Sequence, residues 1–94
     1  MKVPTKLSGD ARSNAQIRAC VAELTRRRNQ LDFIRAELCK IASWCSSERI
    51  HNLKLPDRET YCEDLFVLWV VASDCSKLCD SAISRLDDIL KQNI

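Results

Sequence analysis

The stretch that decides the fold is residues 52–57, NLKLPD, because it holds the last helix-breaking residue of the chain. Proline removes a backbone hydrogen-bond donor and clashes with the preceding turn, so we expect a helix to end before Pro56. The other two breakers, Pro4 and Gly9, lie near the start. The long segments between and after these residues carry no comparable penalty. The sequence therefore predicts an all-α fold of two long helices joined near Pro56, a helical hairpin.

Residues around this turn set the expected bounds of each element. Asp10 or Ser13 is the candidate cap of the first helix. Asn52 is predicted to end that helix in a left-handed conformation, and Asp57 to cap the second. We expect one domain over residues 1–94. Its predicted elements are a flexible N-terminus, a first helix, a turn and a second helix, over residues 1–10, about 11–51, about 52–56 and about 57–92.

Each long segment carries apolar residues at helical spacing, as in coiled coils and helix bundles. In the first segment a row recurs every seven residues, with a second row three residues on: Ile17, Leu24, Leu31, Leu38 and Cys45, then Cys20, Ile34 and Ile41. In the second segment the row alternates steps of three and four: Leu65, Leu68, Ala72, Cys75, Cys79, Ala82, Leu86 and Ile89. The run LFVLWVV, residues 65–71, also has strand propensity, but it has no second strand to pair with, so a helix is favoured.

The charge distribution favours antiparallel pairing of the two helices. The net charge is +2, with eleven basic and five acidic residues in residues 1–54 but four basic and eight acidic residues in residues 55–94. Folding the chain near residue 53 places residues whose numbers sum to about 107 opposite each other. Arg27 or Arg28 would then face Asp80. We expect this ion pair to fix the register of the helices, with a carboxylate of a partner protein as the alternative.

Several large apolar side chains fall outside these rows and need a cover. Trp44 and the residues from 66 to 70 lie near the loop end, so they are predicted to form one partner-binding patch. Its anchor residues are Trp44, Phe66, Val67 and Val70, its flanking residues are Phe33 and Trp69, and its charged rim is Arg26, Arg27 and Arg28.

The surplus of apolar surface indicates a protein-binding function. We expect a small inhibitor, adaptor or chaperone that works by occupying a surface of another protein, rather than an enzyme. Self-association is also expected, because two hairpins that pack into a dimeric four-helix bundle bury much the same surface. We predict no catalytic residues and no cofactor, since the sequence has no phosphate-binding loop and no nucleophile motif.

Nucleic-acid binding is the main alternative. The three consecutive arginines Arg26, Arg27 and Arg28 make the first helix basic, and a helical bundle can present such residues to phosphates. Acidic residues are interleaved at spacings that pair with these arginines along the helix, among them Glu23. The nearly balanced net charge also weakens the long-range field, so an ordinary solvated face is favoured.

The six cysteines allow a second alternative, a stapled or metal-binding hairpin. Cys20, Cys45, Cys75 and Cys79 fall on or beside the apolar rows, where a thiol packs as a small hydrophobic group, so we expect reduced cysteines. A disulfide would be best placed between Cys45 and Cys62. These two residues and His51 are the conceivable metal ligands, but no metal site is predicted, because closely spaced cysteine pairs are lacking.

No membrane span is expected from the sequence. The longest uncharged apolar run has eight residues, Leu65 to Ala72, against the roughly 18 to 20 that a membrane helix needs. The first residues carry no apolar signal core. We therefore expect a cytoplasmic protein.

Overall fold

The protein is a hairpin of two long helices. The computed structural model describes residues 14–93 of the 94-residue chain. Helix α1 spans Asn14–Asn52 and helix α2 spans Glu59–Asn93, and the two pack against each other. The prediction of an all-α helical hairpin is confirmed. The expected flexible N-terminus and the start of the first helix near residue 11 lie outside the described residues.

The end of α1 is closed by a buried asparagine. Asn52 is only 5 % exposed, and its side-chain nitrogen donates to the Glu48 carbonyl at 2.7 Å and to the Glu48 carboxylate at 3.1 Å. These bonds satisfy acceptors of the last helical turn. The prediction that Asn52 adopts a left-handed conformation is wrong, because its side chain closes the helix while its backbone remains helical.

The left-handed residue is Asp57, with φ 57°. It follows Pro56, whose ring fixes its own φ, so the reversal of the chain is made at the next residue. Helix α2 begins at Glu59, and the Arg58 carbonyl accepts the first bond of that helix from the Cys62 amide at 2.9 Å. Asp57 therefore forms the turn and does not cap α2 as predicted.

The row of α1 that faces α2 includes two half-exposed arginines. The predicted sevenfold row from Ile17 to Cys45 does face α2. The predicted second row is wrong, because Cys20, Ile34 and Ile41 are exposed. The structure places the residues four positions on from the sevenfold row in the interface instead: Val21, Arg28, Arg35 and Ala42. Residues three positions on and residues four positions on both continue a helical stripe. Which of the two sets lies in the interface therefore depends on the residues of α2 that face it.

The buried row of α2 differs from its prediction in the same way. Leu65, Ala72, Cys79 and Leu86 face α1 as expected, whereas Leu68 is exposed. The predicted Cys75, Ala82 and Ile89 are half-buried, and the residues that follow them are buried more fully: Ser76, Ile83 and Leu90. Trp69, which follows Leu68, is 40 % exposed and lies at the edge of the row. We call the interface made by these rows the seam.

Two ion pairs across the seam give the register. Arg28 Nε donates to Asp87 at 2.9 Å and Arg35 Nη1 donates to Asp80 at 3.0 Å. Facing residues therefore have numbers that sum to 115, so the predicted pairing of Arg27 or Arg28 with Asp80 is wrong. The chain therefore reverses about four residues later than expected, near the left-handed Asp57, which moves each facing position by eight residues.

The turn makes a first testable prediction. Replacing Asp57 with alanine should lower the free energy of unfolding by roughly 1 kcal/mol, because a Cβ without a local hydrogen-bonding group is disfavoured at positive φ. Asp57→Gly should leave stability unchanged or raise it. Urea denaturation followed by circular dichroism measures both. Equal losses in the two variants would contradict the assigned conformation.

The register makes a second prediction. Double-mutant cycles with alanine should show favourable coupling between Arg28 and Asp87 and between Arg35 and Asp80. A matched cycle between Arg28 and Asp80 should show none, because these residues lie about two helical turns apart. Chemical denaturation at low ionic strength measures the three couplings. Coupling confined to the Arg28–Asp80 cycle would restore the register expected from the sequence.

Candidate protein-binding surfaces

The core of the hairpin is narrow. The largest side chains that are fully buried are Leu65 and Cys45, at 2 % and 1 % exposure. Both lie toward the loop end, where Ala42, Cys62 and Ala72 are also buried. Two helices shield only the stripe along which they touch, so most of each helix surface is left in contact with water.

The most exposed apolar stretch is the run Phe66–Val71 in α2. Its six side chains are all between 37 % and 57 % exposed, although the residues on either side of it, Leu65 and Ala72, are buried in the seam. Six consecutive residues cover every side of a helix. A helix that is apolar all round is normally surrounded by protein, whereas α1 covers only one side here.

The hairpin has two broad sides with different surfaces. On one side, a groove is lined by residues that directly follow seam residues, among them Ser43 and Ser46 of α1 and Ser73 and Lys77 of α2. We call this the serine side. Because the helices are antiparallel, residues that directly precede seam residues lie on the opposite side.

That opposite side, which we call the apolar side, carries large exposed hydrophobic residues from both helices. They are Ile34, Ile41 and Trp44 of α1, and Leu68, Val71 and Leu78 of α2. At the loop end the Tyr61 hydroxyl donates across it to the Glu48 carboxylate at 3.3 Å. Partial burial and the nearby Glu48 charge both raise the pKa of Tyr61. Its apolar residues form a row on α2 from Leu68 to Leu78, whereas on α1 the charged Glu37 lies between Ile34 and Ile41.

The predicted partner-binding residues do not form one patch. Phe66 and Val70 lie at the loop end of the serine side, whereas Trp44 lies on the apolar side. Phe33 and Val67 project outward from their helices, and Phe33 lies about 16 Å along the axis from Trp44. The exposure of these residues is as predicted from the sequence, whereas their side of the hairpin is not.

Two aromatic residues of the prediction do come together. The rings of Phe66 and Trp69 are 5.7 Å apart and tilted by 56°. The guanidinium of Arg49 lies over the Phe66 ring at 5.2 Å from its centroid. Glu63 and Val67 line the same groove. Within residues 14–93, no carboxylate lies within salt-bridge distance of Arg49, and its guanidinium is held by the aromatic face.

The predicted charged rim is separate from these residues. Arg26 and Arg27 bind the Glu23 carboxylate at 2.7 Å and 2.9 Å, and Arg28 binds Asp87. The hydrogen bond from Arg26 is the main cause of a lowered pKa of Glu23. Arg27 lies about 26 Å along α1 from Trp44. All three guanidinium groups are thus engaged with carboxylates of the same chain.

The cysteines are six free thiols. Cys45 and Cys62 are buried, Cys75 and Cys79 are half-buried, and Cys39 is exposed. The expectation that Cys20 packs in the interface is wrong, because it is exposed too. His51 is exposed near the end of α1. Between Asn14 and Asn93, no three His, Cys, Asp or Glu side chains converge as metal ligands.

Sequence reasoning missed part of the exposed surface. The apolar rows predict burial of Ile34, Ile41 and Leu68, which are exposed, and they predict no role for Val71 and Leu78. The sequence does contain a signal for this surface, because apolar residues directly precede seam residues along both helices.

Comparisons with protein-family models, with curated proteins and with solved structures give no match to this chain. Neither described helix has a stretch apolar enough, over sufficient length, to cross a membrane.

Proposed function

We propose that this protein is a non-enzymatic, cytoplasmic protein-binding module, an inhibitor, adaptor or chaperone that also self-associates. The observation that supports the proposal is the run Phe66–Val71, which is apolar on every side of α2 and covered on only one. A surface of this kind is typical of helices that are enclosed in a larger assembly. Binding then acts sterically, by covering a surface of the partner protein.

The contact with a different protein is assigned to the loop end of the serine side. Phe66 and Trp69 form a tilted aromatic pair there, and Val67 and Val70 extend it around α2. Aromatic residues that are already in contact lose little side-chain freedom on binding, and such residues frequently dominate binding energy.

Arg49 indicates the chemistry of that partner. Its guanidinium is held over Phe66 and has no carboxylate partner among the described residues. A partner segment with apolar residues beside an Asp or Glu would pair with this cation while it covers the aromatic pair. We therefore propose an amphipathic, acidic segment as the ligand.

Phe66 gives a third prediction. Phe66→Asp should abolish capture of the partner from lysate of the source cell, because a carboxylate would have to be desolvated at the centre of the contact. Ser84→Asp is the matched control, since Ser84 is exposed on the same side of α2 about 27 Å away, and it should retain capture. Quantitative mass spectrometry of captured proteins measures both, with helicity checked by circular dichroism. Undiminished capture by a folded Phe66→Asp variant would refute this assignment.

Arg49 gives a fourth prediction. Arg49→Gln should weaken binding of the captured partner by about tenfold and reduce its dependence on salt, because one charge-assisted contact is lost. Arg26→Gln should leave affinity unchanged, since Arg26 is bound to Glu23 and lies far from Phe66. Titrations at two salt concentrations measure both variants. Equal effects of the two substitutions would exclude a specific role for Arg49.

A further inference from the structure

We infer that the apolar side binds the apolar side of a second copy, with α1 of each copy beside α2 of the other and both loops at the same end. The inference rests on the self-association in the proposed function and adds the surface and the orientation. A second copy of this chain then covers Ile34, Ile41, Leu68, Val71 and Leu78. Phe66 remains accessible to a different protein.

Helix α2 carries a second helical row on the apolar side. Leu68, Val71, Cys75, Leu78 and Ala82 follow one another in steps of three and four residues, the spacing of a helix-packing stripe. Leu78 is 69 % exposed, the highest value among the large hydrophobic residues of the described chain. This row is one position before the seam, so the same helix has two adjacent packing stripes.

The area of this side is sufficient for a stable dimer. Two helices side by side over the length of α2 present a face of about 50 by 20 Å. A standard protein interface needs about 800 Å² from each partner. The face therefore accommodates a standard interface between two copies, as in a four-helix bundle.

The charges of the two helices select the orientation. Helix α1 has seven basic and four acidic residues, and helix α2 has three basic and seven acidic residues. A twofold axis parallel to the helices places α1 of each copy beside α2 of the other, so opposite charges adjoin. A perpendicular axis would place α1 beside α1 and α2 beside α2, which brings like charges together.

The register favours the same orientation. Facing numbers sum to 115, so Ile34 and Ile41 lie at the heights of residues 81 and 74. Leu78 of the second copy would then lie in height between the two isoleucines, and Val71 would lie just beyond Ile41. Glu37, which lies between the isoleucines, is bound by Lys40 at 3.1 Å and is thus charge-paired within its own copy.

The mass in solution tests the dimer. Sedimentation equilibrium should give twice the chain mass of 10.8 kDa for the full chain. Leu78→Asp and Ile41→Asp should each weaken dimerisation at least 100-fold, because each places two buried carboxylates in the symmetric interface. Ser84→Asp, on the opposite side, should remain dimeric. A monomeric wild-type protein, or a Leu78→Asp variant with unchanged mass, would overturn the inference.

A disulfide tests the orientation. In the proposed arrangement Ile41→Cys faces the native Cys75 of the second copy, so mild oxidation should give a covalent dimer that peptide mapping assigns to positions 41 and 75. The further change Cys75→Ser should remove this link. A link between two copies of position 41 would overturn the orientation, and a monomeric product in which the thiol at position 41 stays free would overturn the interface.

The two proposals fail in different ways. Phe66→Asp should lose the foreign partner and stay dimeric, whereas Leu78→Asp should lose the dimer. A dimer that survives Leu78→Asp contradicts this inference alone. Capture that survives Phe66→Asp in a protein that still dimerises contradicts the assigned partner contact alone.

Discussion

The narrow seam between α1 and α2 is the constraint on which the rest of the structure depends. Two helices touch along one stripe each, and in this protein part of the stripe of α1 is occupied by Arg28 and Arg35 instead of apolar residues. Each arginine forms an ion pair with a carboxylate of α2, Arg28 with Asp87 and Arg35 with Asp80. Because arginines occupy these interface positions, the apolar side chains that could have filled them lie on the flanks of the helices and are exposed to water.

The seam changes in character along its length. Near the loop, Cys45, Leu65 and Ala72 exclude water. Toward the open end, Ile83 and Leu90 are also buried, but the half-exposed ion pairs of Arg28 and Arg35 lie beside them and hold the helices in register. These pairs add little net stability, because exposed charges are well solvated before they pair. They specify which residues face each other, while the buried apolar residues supply most of the favourable free energy of packing.

The number of helices and one packing stripe of each helix could be predicted from the sequence, because Pro56 and the sevenfold spacing determine structure within their own segment. The sequence was insufficient for the register and for the second half of each stripe. Ile34 and Arg35 both continue the stripe of Leu31 and Leu38, at spacings of three and four, and hydrophobicity favours the wrong one. Only the position of Asp80 on the facing helix makes Arg35 the better choice, and that position depends on a turn whose length the sequence leaves open.

The same ambiguity explains why the candidate surfaces were only partly predicted. The exposure of Trp44 and Phe66 followed from their distance from the apolar rows. Their placement on opposite sides of the hairpin depends on whether each residue precedes or follows a seam residue, and hence on the stripe that was misassigned. A shift of one residue rotates a side chain by about 100° around the helix. For a two-helix protein that rotation moves a side chain from the seam to a flank, so the residues that set the register also set which surface is left for partners.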